Sequence, residues 1–294
     1  MKTLSIRKSI LSISSPGTHL VPGDDALARK LTRQCNEYAA DLARRRPQEF
    51  GFWASLPMPD VPGTLEEIPH ALDTLHADGF TLETNHHGLY LGDTAFDSVF
   101  AELNRRKATV FIHPTQPCLP ACAANGGRKQ LASPLTAFPR PMFEFMFDTA
   151  RAVINLFLTG TIARCSDITF IIPHCGGALP PLVDRFTGFA TLILGLEFEM
   201  SAKVVKETFA RQFYFDLAGF PWPDQIYGLL RLVDSSRLLY GSDFPFTPPK
   251  GLVGMAESME RGMETTFSND AQRRRVLLGN AQRMLGLEKA SHIW

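Results

Sequence analysis

Apolar positions recur along this chain in two periods that take turns. Short unbroken apolar runs, as in strands buried on both faces, precede longer stretches with apolar residues three and four apart, the spacing of a helical face. "KSILSISSPG" (8–17) predicts a strand ending in turn residues, and "DDALARKLTRQCNEYAADLARRR" (24–46) a helix with acids at its start. "FGFWASLP" (50–57) predicts a second strand and "TLEEIPHALDTLHA" (64–77) a second helix, with Pro69 in its first turns or kinking it. "DGFTLETN", "AFDSVFAELNRRK" and "ATVFIHP" continue as strand, helix and strand. The Pro-, Gly- and Cys-rich segment from Pro114 to about Pro141 is long enough for a functional loop. "MFEFMFDTARAVINLFLTGTIAR" (142–164) predicts one long apolar helix. "ITFIIPHCGG", a helical stretch from Pro181, "FYFDLAG", a helix around "QIYGLLRLV", "RLLYGSDFPF" and a helical tail (270–287) complete the pattern.

Seven short apolar strands alternating with helices predict an α/β fold of parallel strands covered by helices. Neither GxGxxG nor GxxxxGK[ST] occurs, which argues against a nucleotide-binding open sheet. The expected fold is a (β/α)8 TIM barrel one strand short of closure. No internal repeat or low-complexity linker divides residues 1–294, so one domain is expected.

Composition narrows the partners. Thirty basic residues balance 30 acidic ones, which argues against a nucleic-acid partner. No run reaches the roughly 18 apolar residues of a membrane span, and "MKTLSIRKSILSISSPG" reads as an amphipathic strand rather than a signal peptide. Five irregularly spaced cysteines suit reduced thiols in the cytoplasm. Cys118 and Cys122 suggest a metal pair, but no second pair follows.

Barrel enzymes place their chemistry at the C-terminal ends of strands. His113 ends the fourth strand, His174 the fifth, Asp216 lies in the sixth and Asp243 ends the seventh. Imidazole and carboxylate are the donors that Zn²⁺ or Mn²⁺ takes. Taken alone, His113 reads more readily as a satisfied polar residue than as a ligand, and Asp243 reads as a ligand or as a cap on backbone amides. Gly176 and Gly177 allow a tight turn beside a ligand, or an ordinary strand-to-helix turn. His86 and His87 are adjacent, so in extended chain only one, taken as His86, would face the rim and form part of the substrate wall. His19 could line the same pocket but has no partner at short spacing. Arg140, between two prolines, could hold a carboxylate or lie solvated. Phe220, Trp222 and Phe246 are loop aromatics on which a ring could stack.

The segments "FIHP", "IIPHCGGALP", "FYFDLAG", "LLYGSDFPF" and "LLGNAQRMLGL", in this order, resemble the amidohydrolase-related decarboxylases, the aminocarboxymuconate-semialdehyde decarboxylase family. The opening segments through "NEYAADLARRRPQEFGFWASLPMPD" resemble its fungal 6-methylsalicylate decarboxylases. The resemblance implies a barrel of the metal-dependent hydrolase type and non-oxidative loss of CO₂ from a hydroxylated aromatic acid, with 6-methylsalicylate giving m-cresol in secondary metabolism. It implies His113 and Asp243 as ligands of a divalent metal, Zn²⁺ ahead of Mn²⁺. His174 and Asp243 become the groups that handle the proton, and a homodimer or homotetramer is implied. The family opens on a strand carrying His-x-His or Glu-x-His, and no such motif occurs here. The strand near Lys8 matches the family's second strand. The chain is therefore expected to lack one βα unit of about 30 residues and to hold a metal with two of its protein ligands. Two alternatives stay open: metal-dependent hydrolysis of a lactone or amide, and an inactive remnant without metal.

Overall fold

The computed structural model describes residues 1, 4–119, 130–131, 135, 137–196 and 199–287. Cys122, half of the suggested cysteine pair, lies outside the described residues. Seven strands form one sheet in chain order: β1 Ser9–Leu11, β2 Phe50–Ser55, β3 Gly79–Glu83, β4 Thr109–His113, β5 Thr169–Ile172, β6 Phe213–Asp216 and β7 Leu238–Leu239. The chain divides into two compact units, and β5 runs from one into the other.

The larger unit holds β1 to β4, paired in parallel. Register sets Glu83 directly beside His113, so two ionisable side chains end neighbouring strands. All of β3 is buried, as expected of a parallel strand covered on both faces. Helix α1 (Asp25–Arg45) starts where Asp24 accepts a hydrogen bond from the Leu27 amide at 3.0 Å. Its buried Asn36 bridges to the end of β2, accepting from Ser55 N at 2.8 Å and donating to Ser55 O at 3.0 Å. The same side chain donates to Glu67 at 2.9 Å, which anchors α2 (Val61–Pro69). Pro69 ends α2 rather than starting it, because Asp60 caps the helix three residues earlier than the sequence pattern implied. Past Pro69 the bonding switches to a π-type turn over His70–Thr74. The long apolar helix is two helices, Glu144–Leu158 and Thr161–Arg164, broken where Gly160 takes a left-handed conformation (φ 74°).

In the smaller unit β6 and β7 pair in parallel. Asn280, fully buried in the tail, donates to Ser235 O and Leu238 O at 2.7 Å each and so fixes the start of β7. The sequence pattern did not place the 18-residue helix Pro249–Thr266, whose buried residues are only Met259, Gly262 and Met263. Its close neighbour is Trp222, which donates to Thr266 Oγ1 at 2.9 Å. A Cβ on Gly262 would stand 2.3 Å from the Trp222 ring. Trp222 therefore packs against this helix, and with Phe220 and Met259 it also lines a cavity of about 220 Å³. Gly262→Ala is expected to destabilise the protein by about 1–3 kcal/mol, the cost of overpacking a filled site. Urea denaturation measures this, and an unchanged midpoint would refute the packing argument. Among the described residues no helix is long and apolar enough to cross a membrane.

Candidate active site

The larger unit carries a cavity of about 210 Å³ beside the C-terminal ends of β2 and β3. Ser55 and Glu83 come from the strand ends, Thr81 from within β3, and His86 and His87 from the hairpin Asn85–His86 with Leu89–Tyr90. His19 comes from the loop after β1 and Gln116 from the loop after β4. Both histidines of the His86–His87 pair line the cavity, contrary to the expectation that only one could. The reason is local: His87 has φ 53°, so the pair sits in a turn where strand alternation does not apply. His19 also gains partners that spacing did not reveal. Its Nε2 lies 3.0 Å from Asp25 Oδ1, and its Nδ1 lies 2.9 Å from His87 Nε2. A carboxylate only accepts, so His19 Nε2 carries the hydrogen and Nδ1 can accept from His87. The row leads from the cavity wall to Asp25, which is half exposed.

Glu83 is 5% exposed, and burial pushes its carboxyl above the usual range. Its Oε2 lies 3.5 Å from His113 Nδ1. His113 Nδ1 donates to the Pro114 carbonyl at 2.7 Å, since that oxygen can only accept. This fixes the tautomer with the lone pair on Nε2, the form in which histidine binds metals. Glu83 was absent from the sequence-based candidates, although it is the acid that closes a fully buried strand. A charge ending such a strand is the same signal that singled out His113.

His86 is held neutral. Burial, then the neighbouring His87 and His19, push its pKa down to about 3. The unfolded chain takes up this proton below about pH 6.5, whereas the folded protein does not. Stability is therefore expected to fall as pH drops from about 6.5 toward 3, by up to about 1.4 kcal/mol per pH unit from this group. His86→Gln removes that contribution. Urea titrations of both proteins at pH 7 and pH 5 should diverge, and equal losses on acidification would sink the assignment.

The hairpin is tied down by Asp148, which is fully buried in the helix Glu144–Leu158. Its carboxylate accepts from Thr84 Oγ1, from Tyr90 Oη and from Asn85 Nδ2, the last at 3.0 Å. Burial and this carboxylate drive the Tyr90 phenol up, so it stays a donor.

In the smaller unit His174 follows β5 in left-handed backbone (φ 54°), as do Cys175 (φ 59°) and Gly176, and the next residue, Gly177 of the larger unit, has positive φ as well. His174 and Cys175 are strained there, and the surroundings hold them. The His174 amide donates to Asp216 Oδ1 at 3.0 Å, and its carbonyl accepts from Gln225 Nε2 at 2.8 Å. Asp216, left without a role by the sequence, fixes the turn, since it also accepts from Ala218 N at 3.0 Å. Gln225 carries no sequence signal at all. The Cys175 thiol is pushed up to about 12 by burial and by Asp216, so it is inert. In the larger unit, a Cβ on Gly177 would meet the Met146 carbonyl at 2.7 Å, so close backbone packing requires that glycine. Asp243 also has positive φ (53°), and its carbonyl accepts from Thr247 N at 2.8 Å. Phe246 is exposed, and so is Arg140 in a 3₁₀ turn of the larger unit. Among the described residues no three His, Cys, Asp or Glu side chains come together as a metal cage.

Comparison with known proteins gives the family. The amidohydrolase profile matches residues 12–287. The chain is 40% identical over 271 residues to decarboxylase yanB of Aspergillus niger, covering 88% of this chain and 70% of that protein. It is 36% identical over 262 residues to the 6-methylsalicylic acid decarboxylase acuB of Aspergillus aculeatus, covering 88% and 76%. A dihydroxybenzoic acid decarboxylase from Polaromonas, solved with bound manganese and the inhibitor 2-nitroresorcinol, shares the fold. The TM-score is 0.80 at 21% identity, over 100% of this chain and 86% of that one. The expected fold class stands as a TIM-barrel-like α/β fold with a seven-stranded sheet.

Proposed function

We propose, from the premise that the chain belongs to the amidohydrolase family, that it catalyses non-oxidative decarboxylation of a hydroxylated aromatic carboxylic acid, 6-methylsalicylate first among them. The observation that carries this reading is the 36% identity over 262 residues to a 6-methylsalicylic acid decarboxylase. In that reaction the ring carbon bearing the carboxylate takes up a proton. The bond to the carboxylate then breaks, and its electron pair restores the aromatic ring as CO₂ leaves. One proton is consumed for each CO₂ released, and m-cresol is the product.

His174 or Asp243 delivers that proton, a role that asks for a side chain held in one geometry. Support comes from the backbone at His174, locked on both sides by Asp216 and Gln225. Arg140 is the proposed partner for the substrate carboxylate, and His86 and Phe246 are proposed to flank the ring. The His113 tautomer fits a divalent metal, and His113 with Asp243 are the donors that would hold it. Such an ion, when bound, supplies a Lewis acid that orients the carboxylate and phenolic oxygens. Zinc is the proposed ion because imidazole suits it. The manganese in the Polaromonas enzyme puts both ions in the test. A homodimer or homotetramer in the cytoplasm completes the proposal, with light scattering as the check on assembly.

The deciding experiment incubates the purified chain with 6-methylsalicylate or 2,6-dihydroxybenzoate and Zn²⁺ or Mn²⁺. Release of CO₂ with m-cresol or resorcinol is expected. No release from either acid with either ion overturns the proposal.

A further inference from the structure

Parallel register places Ser55, the last residue of β2, directly beside Thr81 of β3. Residues paired in this way show their side chains on one face of the sheet. Here that face meets the cavity of about 210 Å³, and both residues line it. Ser55 is 4% exposed and Thr81 5%, so bulk water does not reach them. Among the described residues neither Ser55 Oγ nor Thr81 Oγ1 has a hydrogen-bond partner, and the two do not bond to each other. Buried hydroxyls are nearly always bonded in folded proteins, and an exception needs a reason. Packing supplies none, since alanine and valine would fill the same places without an unmatched polar atom. A polar group entering the cavity does supply one. Each hydroxyl can donate or accept, so the pair matches a group that does both, as a phenolic hydroxyl does. Leu56, Met58 and Pro16 line the same cavity with apolar surface of the kind an aromatic ring covers.

The level of the pair along the sheet decides which part of a substrate it meets. Glu83 and its register partner His113 end their strands two residues beyond the level of Thr81, about 7 Å further along. Two residues of strand are about as long as a benzene ring with its substituents. A ring whose carboxylate lies at the level of His113 therefore brings its opposite edge to Ser55 and Thr81. We propose that Ser55 and Thr81 determine specificity: they hydrogen-bond a second hydroxyl on the ring edge opposite the carboxylate, so the chain prefers a salicylate carrying that hydroxyl. 6-Methylsalicylate is turned over without this contact. Placing the carboxylate at the level of His113 rests on the decarboxylase reading. The need of the two hydroxyls for a polar partner rests on the cavity alone.

Two acids that differ by this one hydroxyl test it, 6-methylsalicylate and 2,4-dihydroxy-6-methylbenzoate, each with the purified chain and Zn²⁺ or Mn²⁺. The dihydroxy acid is expected to release CO₂ with kcat/KM at least tenfold higher. In the double variant Ser55→Ala, Thr81→Val the ratio of the two kcat/KM values should fall at least tenfold. Comparing the two proteins cancels the difference in reactivity between the acids. The urea midpoint of the double variant should be no lower than that of the unmodified protein, because hydroxyls without a partner in the fold do not stabilise it. Hydroxyls with a purely structural role would lower it. If neither acid releases CO₂, calorimetric titration with the same acids gives the ratio of Kd values instead, undisturbed by turnover. A ratio within twofold of one in the unmodified protein, the same ratio in both proteins, or a double variant that is less stable or does not fold overturns the inference. A chain that binds the dihydroxy acid more tightly through the pair but releases no CO₂ upholds the assignment and sinks the decarboxylase reading. A chain that releases CO₂ from both acids with no difference between the proteins does the reverse.

Discussion

Replacing His174 with asparagine is expected to lower kcat for CO₂ release by about 10²- to 10⁴-fold, the range for loss of a positioned proton donor. Asparagine is the informative replacement because it tolerates left-handed backbone better than most residues. The turn at φ 54° should therefore survive, together with the amide bond to Asp216 and the carbonyl bond from Gln225. What disappears is the imidazole and its ability to move a proton. The expected signature is a collapsed kcat, KM changed far less and an unchanged urea midpoint. Retention of more than a tenth of the wild-type rate would remove His174 from the proton-transfer step and leave Asp243 to carry it.

Asp148→Ala is expected to cost about 3–5 kcal/mol of stability, the penalty for removing one side of a buried charged network. The substitution strands the Thr84 hydroxyl, the Tyr90 phenol and the Asn85 amide where little water reaches them. Asp148→Asn keeps an acceptor oxygen and should lose less. The damage should not stay at stability, because the hairpin that Asp148 anchors carries His86 and His87 into the cavity wall. Urea denaturation separates the cases, and a loss below about 1 kcal/mol would show that the network relaxes around the missing carboxylate.

The alternation of strands and helices was legible because parallel strands must be apolar throughout, and all seven appear where the apolar runs stand. Helix ends were less legible. The break at Gly160 and the switch after Pro69 depend on hydrogen bonds that periodicity does not encode. The helix Pro249–Thr266 escaped because it buries only three residues, two of them methionines and one a glycine. Strand-end residues were readable as chemistry, and His113 and His174 stand at or just past strand ends. Glu83 obeyed the same rule but was hidden inside a run that otherwise reads as core. The His19–Asp25 contact joins a loop to the start of a helix, and the His19–His87 contact spans 68 positions. Local spacing carries no record of either. Asp148 reaches 58 to 64 positions back to its donors, so its importance is visible only once the chain is folded.

The run of left-handed residues at positions 174 to 177, with Asp243 alike, limits how this protein can be re-engineered. At those sites a β-branched or bulky replacement fights the backbone before its chemistry can be judged. A library that seeks new ring preferences should leave them fixed. Ser55 and Thr81 lie on ordinary strand backbone with their hydroxyls unmatched. Both line the cavity, so exchange for a smaller or isosteric side chain changes its wall while the strand backbone keeps its conformation.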